Sequence, residues 1–179
     1  MRLLFAFLSL FISLHTSGQN EDKILFEKGM ALQYAHYDTD LIGMLLSSDT
    51  LKLNTAERII NQLQKQAIHE YDLLIKRFPK SELLLDAKYQ KAEALFSVGL
   101  NSEAKEMFLQ VIAVNPKKGK SLLKLAYIAL DEKNYAEALK YLKERKELNP
   151  TLYCGTEYET EKKQIEYIEE QCKIGLAKK

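Results

Sequence analysis

Three prolines in 179 residues do most to limit how this chain can fold, because each closes a stretch of helical periodicity. They are Pro79, Pro116 and Pro150, 37 and 34 residues apart. The last two read Asn115-Pro116 and Asn149-Pro150, and the first reads Phe78-Pro79. Proline lacks a backbone donor, clashes with the preceding turn and disfavours the α region in the residue before it, so each marks a helix end. Between the corners, Ala104, Met107, Phe108, Val111 and Ile112 fall at the i, i+3, i+4, i+7, i+8 spacing of one helix face. Leu122, Leu125, Ala126 and Ala129 form a second stripe, and Ala138, Leu139, Tyr141 and Leu142 a third. The links Gly99–Ser102 and Asp131–Asn134 are short, with Asn101 or Ser102 as the N-cap of the helix that follows. Links of that length force neighbouring helices to run antiparallel. The chain is therefore predicted to be all-α, with antiparallel helix-turn-helix units in series.

Upstream, Asn54 and Glu57 have the spacing of a capping box, and Ile60, Leu63, Ala67, Tyr71, Leu74 and Phe78 form one stripe up to Pro79. Its partner is predicted at Lys23–Tyr37, with Gly29 as the small residue of that helix. Asp38–Leu53 lies between them as an insertion, in which Leu41, Ile42, Leu45 and Leu46 predict a short helix. Downstream, Tyr158, Ile165, Ile168, Cys172 and Leu176 form a narrow stripe within Glu157–Leu176, as expected of a C-terminal capping helix. The expected organisation is a leader at 1–18, an N-terminal helix and insertion at 19–53, helical repeats at 54–150 and the cap at 151–179.

The leader is read from Met1-Arg2, the apolar run Leu3–Leu14 and the small residues Thr16, Ser17 and Gly18. A basic start, a short apolar core and small residues at the cut predict a signal peptide cleaved after Gly18. As a helix the run reaches about 18 Å, short of the ~30 Å hydrocarbon core, so no transmembrane segment is expected after cleavage. Cleavage removes Arg2 and no acid, leaving 25 basic against 25 acidic residues. A neutral chain has no global field to recruit nucleic acid.

Catalytic patterns are sparse. Beyond the leader the histidines are His36 and His69, and neither stands at an established metal-ligand spacing. His69-Glu70 lacks the second histidine of a zinc-hydrolase helix, and no glycine-rich phosphate loop or nucleophile elbow occurs. Cys154 and Cys172 are separated by most of a predicted helix of about 22 Å, which disfavours a bridge and favours a buried, inert Cys172. No enzyme activity, metal or cofactor is expected.

Aligning Pro116 with Pro150 pairs Ala92 with Ala126, Ala104 with Ala138 and Phe108 with Leu142. DAKYQKAEALF (Asp86–Phe96) and KLAYIALDEKNYAEAL (Lys124–Leu139) have the same layout. Over about residues 80–150 the chain resembles the tetratricopeptide repeat, in which small residues let two helices approach and proline ends the second. Lys88 and Leu122 replace the family's early aromatic. The resemblance implies helix pairs stacked in a right-handed superhelix, with the first helix of each pair lining a concave groove.

Carried over by position, that groove would present Asp86, Tyr89, Gln90, Glu93 and Phe96, then Lys120, Leu123, Lys124 and Tyr127. Lys120 and Lys124 match the basic sites of a subfamily that clamps a peptide's terminal carboxylates, and Gln90 replaces its central amide. Phe26 and Met30 stand where that subfamily has its first Lys and Asn, so the specificity does not carry over. KSELLLDAKYQKAEAL is similar to periplasmic repeat proteins that coordinate envelope assembly. The expectation is an exported, non-catalytic module that binds a peptide or helix of an envelope protein. The competing expectation is a structural or inhibitory subunit that binds through its convex face, insertion or cap helix, with Leu41, Leu45 or Ile165 in contact.

Overall fold

The structure, a computed structural model, describes residues 21–114, 118–148 and 155–178. Among them the regular structure is helical throughout, with no strand. The chain divides into two compact units, one ending at Leu100 and the other beginning at Asn101. The signal-peptide expectation, the corners at Pro116 and Pro150, and Cys154 lie outside the described residues.

In the first unit, α1 (21–34) runs into a 3-10 turn, Ala35–Tyr37. Then come α2 (Thr39–Leu45), α3 (Thr50–Arg77) and α4 (Leu84–Ser97). The expected Lys23–Tyr37 helix is thus α1 plus its 3-10 turn. α2 is the short helix expected in the insertion; Asp38 caps it by accepting from the backbone N–H groups of Asp40 and Leu41. The Asn54–Glu57 capping box is corrected. Asp49 accepts from the Leu51 N–H, and the helix starts a turn earlier, placing Asn54 and Glu57 inside it. Its far end comes where expected: Phe78, forced out of the α region by Pro79, has φ −126° and follows Lys76 and Arg77 in the last turn.

α1 packs on α3 through one close approach. A Cβ on Gly29 would stand 2.5 Å from Tyr71 Cε1, so only a glycine lets the fully buried Tyr71 ring lie against the α1 backbone. Leu25, Ala67, Tyr71, Leu74 and Ala87 form the core here, with Phe26 tilted against Tyr71 at 6.1 Å.

The second unit comprises α5 (Asn101–Val114), α6 (Lys118–Asp131), α7 (Tyr135–Glu147) and α8 (Gly155–Ala177). The helix following Gly99-Leu100 begins at Asn101 itself. Successive helices pack on one another, and α8 also touches α6. The paired positions Ala92 and Ala126, Ala104 and Ala138, and Phe108 and Leu142 are all at most 1% exposed. Leu122, Leu125 and Ala129 are fully buried as well, while Met107, Ile112 and Leu139 are half-buried.

Two turns 34 residues apart share one geometry. After α4, Gly99 has φ +77°, its N–H donates to Phe96 O, and the Leu100 N–H donates to Leu95 O. After α6, Lys133 has φ +58°, its N–H donates to Leu130 O, and the Asn134 N–H donates to Ala129 O. Both are Schellman motifs, which close the last carbonyls of a helix through one left-handed residue. Asn134 then caps α7: its Oδ1 accepts from the Glu137 N–H, and its Nδ2 donates to the Glu137 carboxylate.

The α8 stripe is shifted from the expected one. Ile168 and Cys172 are fully buried, but Tyr158 and Leu176 are 45% and 46% exposed. The inward face is Glu161, Ile165, Ile168, Cys172 and Gly175. Glu161 turns inward because it pairs with Arg145 of α7. Gly175 does so because its missing side chain admits the Tyr135 ring. Cys172 is a free thiol, and burial, then the Glu169 charge, push its pKa up.

Candidate functional site

The surface expected to bind falls on both units, three residues on the first and four on the second. On the first, Tyr89, Gln90 and Glu93 share one turn of α4. Tyr89 and Gln90 are each 8% exposed, whereas Glu93 is half-buried. The Tyr89 hydroxyl donates to Glu93 Oε1 at 3.0 Å, so the ring is held along the helix. Gln90 Oε1 accepts from the hydroxyl of Tyr34 on α1 at 3.3 Å.

Tyr34 opens a part of the site that the sequence reading did not include. Its ring lies 6.0 Å from that of Tyr37, with planes 10° apart, and the His36 imidazole is 4.2 Å from Tyr37. Tyr34 is 40% exposed and Tyr37 is 65% exposed. Burial, then the charge of Glu93, push the Tyr34 phenol above its ordinary pKa, while the Gln90 hydrogen bond opposes the rise. Tyr34 therefore stays neutral across the physiological range and offers a ring face rather than charge.

Gln33, the last fully buried residue of α1, holds this cluster in place. Its carbonyl, left over at a helix end, accepts from Gln64 Nε2 and from His36 Nδ1, each at 2.8 Å. A carbonyl only accepts, so Nδ1 of His36 carries the proton. The Gln33 side chain accepts from the Tyr71 hydroxyl at 2.8 Å, which joins the cluster to the core beside Gly29. Burial pushes the Tyr71 phenol strongly up, with Tyr34 adding to the effect. The signal for the cluster was present in Tyr34-Ala35-His36-Tyr37, but it carries chemistry only once the 3-10 turn brings its rings to one side.

On the second unit, Lys120, Leu123, Lys124 and Tyr127 follow one another along α6. Lys120 is exposed, Leu123 is 6% exposed, and Lys124 and Tyr127 are half-buried. Burial, then Tyr167 of α8, push the Tyr127 phenol up. Tyr167 is itself 52% exposed, so two tyrosines mark this part of the unit. Of the further groove residues, Asp86 and Phe96 are half-buried.

A cavity of about 330 Å³ lies between α7 and α8 and is lined by Arg145, Tyr158, Lys162, Ile165 and Glu169 among others. The buried Arg145–Glu161 pair is part of its lining. The histidines stand apart: His36 in the ring cluster, His69 exposed on α3. Among the described residues, no three His, Cys, Asp or Glu side chains are placed to hold a metal ion. No described helix is long and apolar enough to cross a membrane. Comparison with protein-family models, curated proteins and solved structures gives no match for the chain.

Proposed function

We propose that this chain is an exported, non-catalytic protein-interaction module of tetratricopeptide-like design, with its helix pairs in a right-handed superhelix. It binds a peptide or helix of a cell-envelope protein on the helical faces that carry Tyr89, Gln90 and Glu93 in one unit and Lys120, Leu123, Lys124 and Tyr127 in the other. The periplasm is the compartment this reading assigns.

The observation that carries the proposal is the repeated backbone device. Left-handed residues at Gly99 and Lys133 close helices 34 residues apart, and the small residues at matched positions around them are fully buried. A chain that repeats turn and packing site at one period presents matched helix faces, which is the basis of extended recognition surfaces. Tyr127 and Tyr34 supply large ring area with polar tips, the chemistry enriched at binding sites.

The test is cross-linking of the tagged protein in the envelope of its native cell, beside a Tyr127→Ala/Lys124→Glu variant. A partner captured by the native sequence and lost from the variant is expected. Equal capture by both overturns the groove as the working surface.

A second reading has its own observation. Leu46 and Leu51, around the insertion, are 82% and 74% exposed, and Ile42 is 37% exposed. Leucines left in water to that extent favour a contact through the insertion. In that reading Leu46→Asp abolishes capture and the groove variant leaves it intact.

A further inference from the structure

We propose that the Tyr34–His36–Tyr37 ring cluster, with the Glu93 carboxylate beside it, receives an arginine or lysine side chain from a partner polypeptide. The inference rests on the reading of this chain as a protein-interaction module and adds the charge of what it binds.

Four observations support a cation. The first is ring area: two tyrosines 40% and 65% exposed lie near-parallel, and the imidazole packs against one of them. Aromatic faces attract cations through their quadrupole, tyrosine among them. The second is that two of the three rings, Tyr34 and His36, are held. Tyr34 donates to Gln90 and His36 donates to the Gln33 carbonyl, so neither turns away without breaking a hydrogen bond.

The third is the local charge. Residues 29–51 contain Asp38, Asp40 and Asp49 and no lysine or arginine at all. The fourth is Glu93, one turn along α4 from the Gln90 that accepts from Tyr34; its Oε1 also accepts from Tyr89, and its charge helps raise the Tyr34 phenol pKa. Ring faces bordered by carboxylates attract a cation and repel phosphate or a terminal carboxylate. This is the opposite charge preference from a carboxylate clamp.

The probe is an acetylated, amidated heptapeptide alternating glycine and arginine, fluorescently labelled and titrated against the full chain. Its counterpart carries citrulline, which keeps the shape of arginine and removes the charge. The arginine peptide should bind at least about fivefold more tightly than the citrulline peptide. Tyr37→Leu and Glu93→Gln should each lower that affinity by about threefold or more while helical circular dichroism is retained. The Tyr37 ring is 65% exposed, so its replacement leaves the core alone.

Equal affinity for both peptides, no arginine-peptide binding, or no loss in folded Tyr37→Leu overturns the proposal. Self-association that Tyr37→Leu abolishes, without peptide binding, also overturns it and assigns the cluster to a second copy. The interaction-module reading is judged separately, by partner capture at Tyr127 and Lys124. Failure of the arginine peptide with that capture intact removes only the cation.

Discussion

Arg145 of α7 and Glu161 of α8 are ion-paired with their side chains 6% and 11% exposed. Arg145 Nη1 reaches the Leu148 carbonyl at 3.5 Å, and its stem covers Gly119, whose Cβ would stand 3.2 Å from Nε. One arginine thus ties α6, α7 and α8 together.

Breaking that pair leaves a carboxylate in a poorly solvated place. Arg145→Met should destabilise the protein by about 3 kcal/mol, and Arg145→Met/Glu161→Leu should recover most of the loss. Urea unfolding of the single and double variants checks this. A single variant within about 0.5 kcal/mol of the parent contradicts it.

Gly29→Ala isolates the close approach of α1 to α3. Helix propensity alone favours alanine by about 1 kcal/mol. The new Cβ meets Tyr71, which is fully buried and hydrogen-bonded to Gln33, so the ring cannot yield easily. Net destabilisation of about 1–3 kcal/mol is expected by thermal or urea unfolding. A more stable variant contradicts the packing described.

Lys133 sits at φ +58°, where its Cβ is strained, in the position that Gly99 fills in the preceding turn. Lys133→Gly should stabilise the chain by about 0.5–1 kcal/mol. Gly99→Ala should cost about 1 kcal/mol, although no atom lies within 4 Å of the new Cβ. Opposite signs for the two substitutions are the diagnostic result, and equal signs contradict the shared turn.

Acid sensitivity should centre on Glu137. The hydrogen bond from Lys105 holds its carboxyl below the ordinary value, with Tyr141 and Asn134 helping against burial. A carboxyl depressed on folding contributes stability above its unfolded pKa and loses it as pH falls through the folded value. Burial acts to lower Lys105, but hydrogen bonds to Glu132 and Glu137 prevail and its pKa rises. That contribution is present below the ordinary lysine pKa and is lost as pH rises through the raised one. Glu137→Gln should therefore flatten the fall in stability between pH 6 and pH 3. An unchanged slope contradicts this role.

Much of the helical layout was legible because its signals are local. Ala104, Phe108, Ala126, Ala138 and Leu142 are apolar at helical spacing, and each is buried. Gly29 was legible as a small residue where the resemblance puts one, and the Tyr71 ring lies against it. What escaped depends on partners distant in sequence. Glu161 reads as a solvated acid until Arg145 is opposite it, and Gly175 reads as a helix end until Tyr135 is laid against it. Asn54 and Glu57 have the spacing of a capping box, but Asp49 caps the helix a turn earlier.

The candidate site was read with the same asymmetry. Tyr127 and Lys124 came from position in the repeat, whereas Tyr34, His36 and Tyr37 gather only through the 3-10 turn and the Gln33 carbonyl. Tyr89, Gln90 and Leu123 keep little surface of their own, because each is at most 8% exposed. Gln90 instead holds Tyr34 through its hydrogen bond.

The central claim is that the helical faces carrying Glu93 and Tyr127 bind a protein partner. Its most direct measurement is site-specific photo-cross-linking in the native envelope, with benzoylphenylalanine placed in turn at Tyr37, Lys120, Tyr127, Leu46 and Glu106. The expected result is one common partner cross-linked from positions 37, 120 and 127 and absent from 106. A partner captured from Leu46 alone, or no capture from Lys120 and Tyr127 in the folded protein, would contradict the claim.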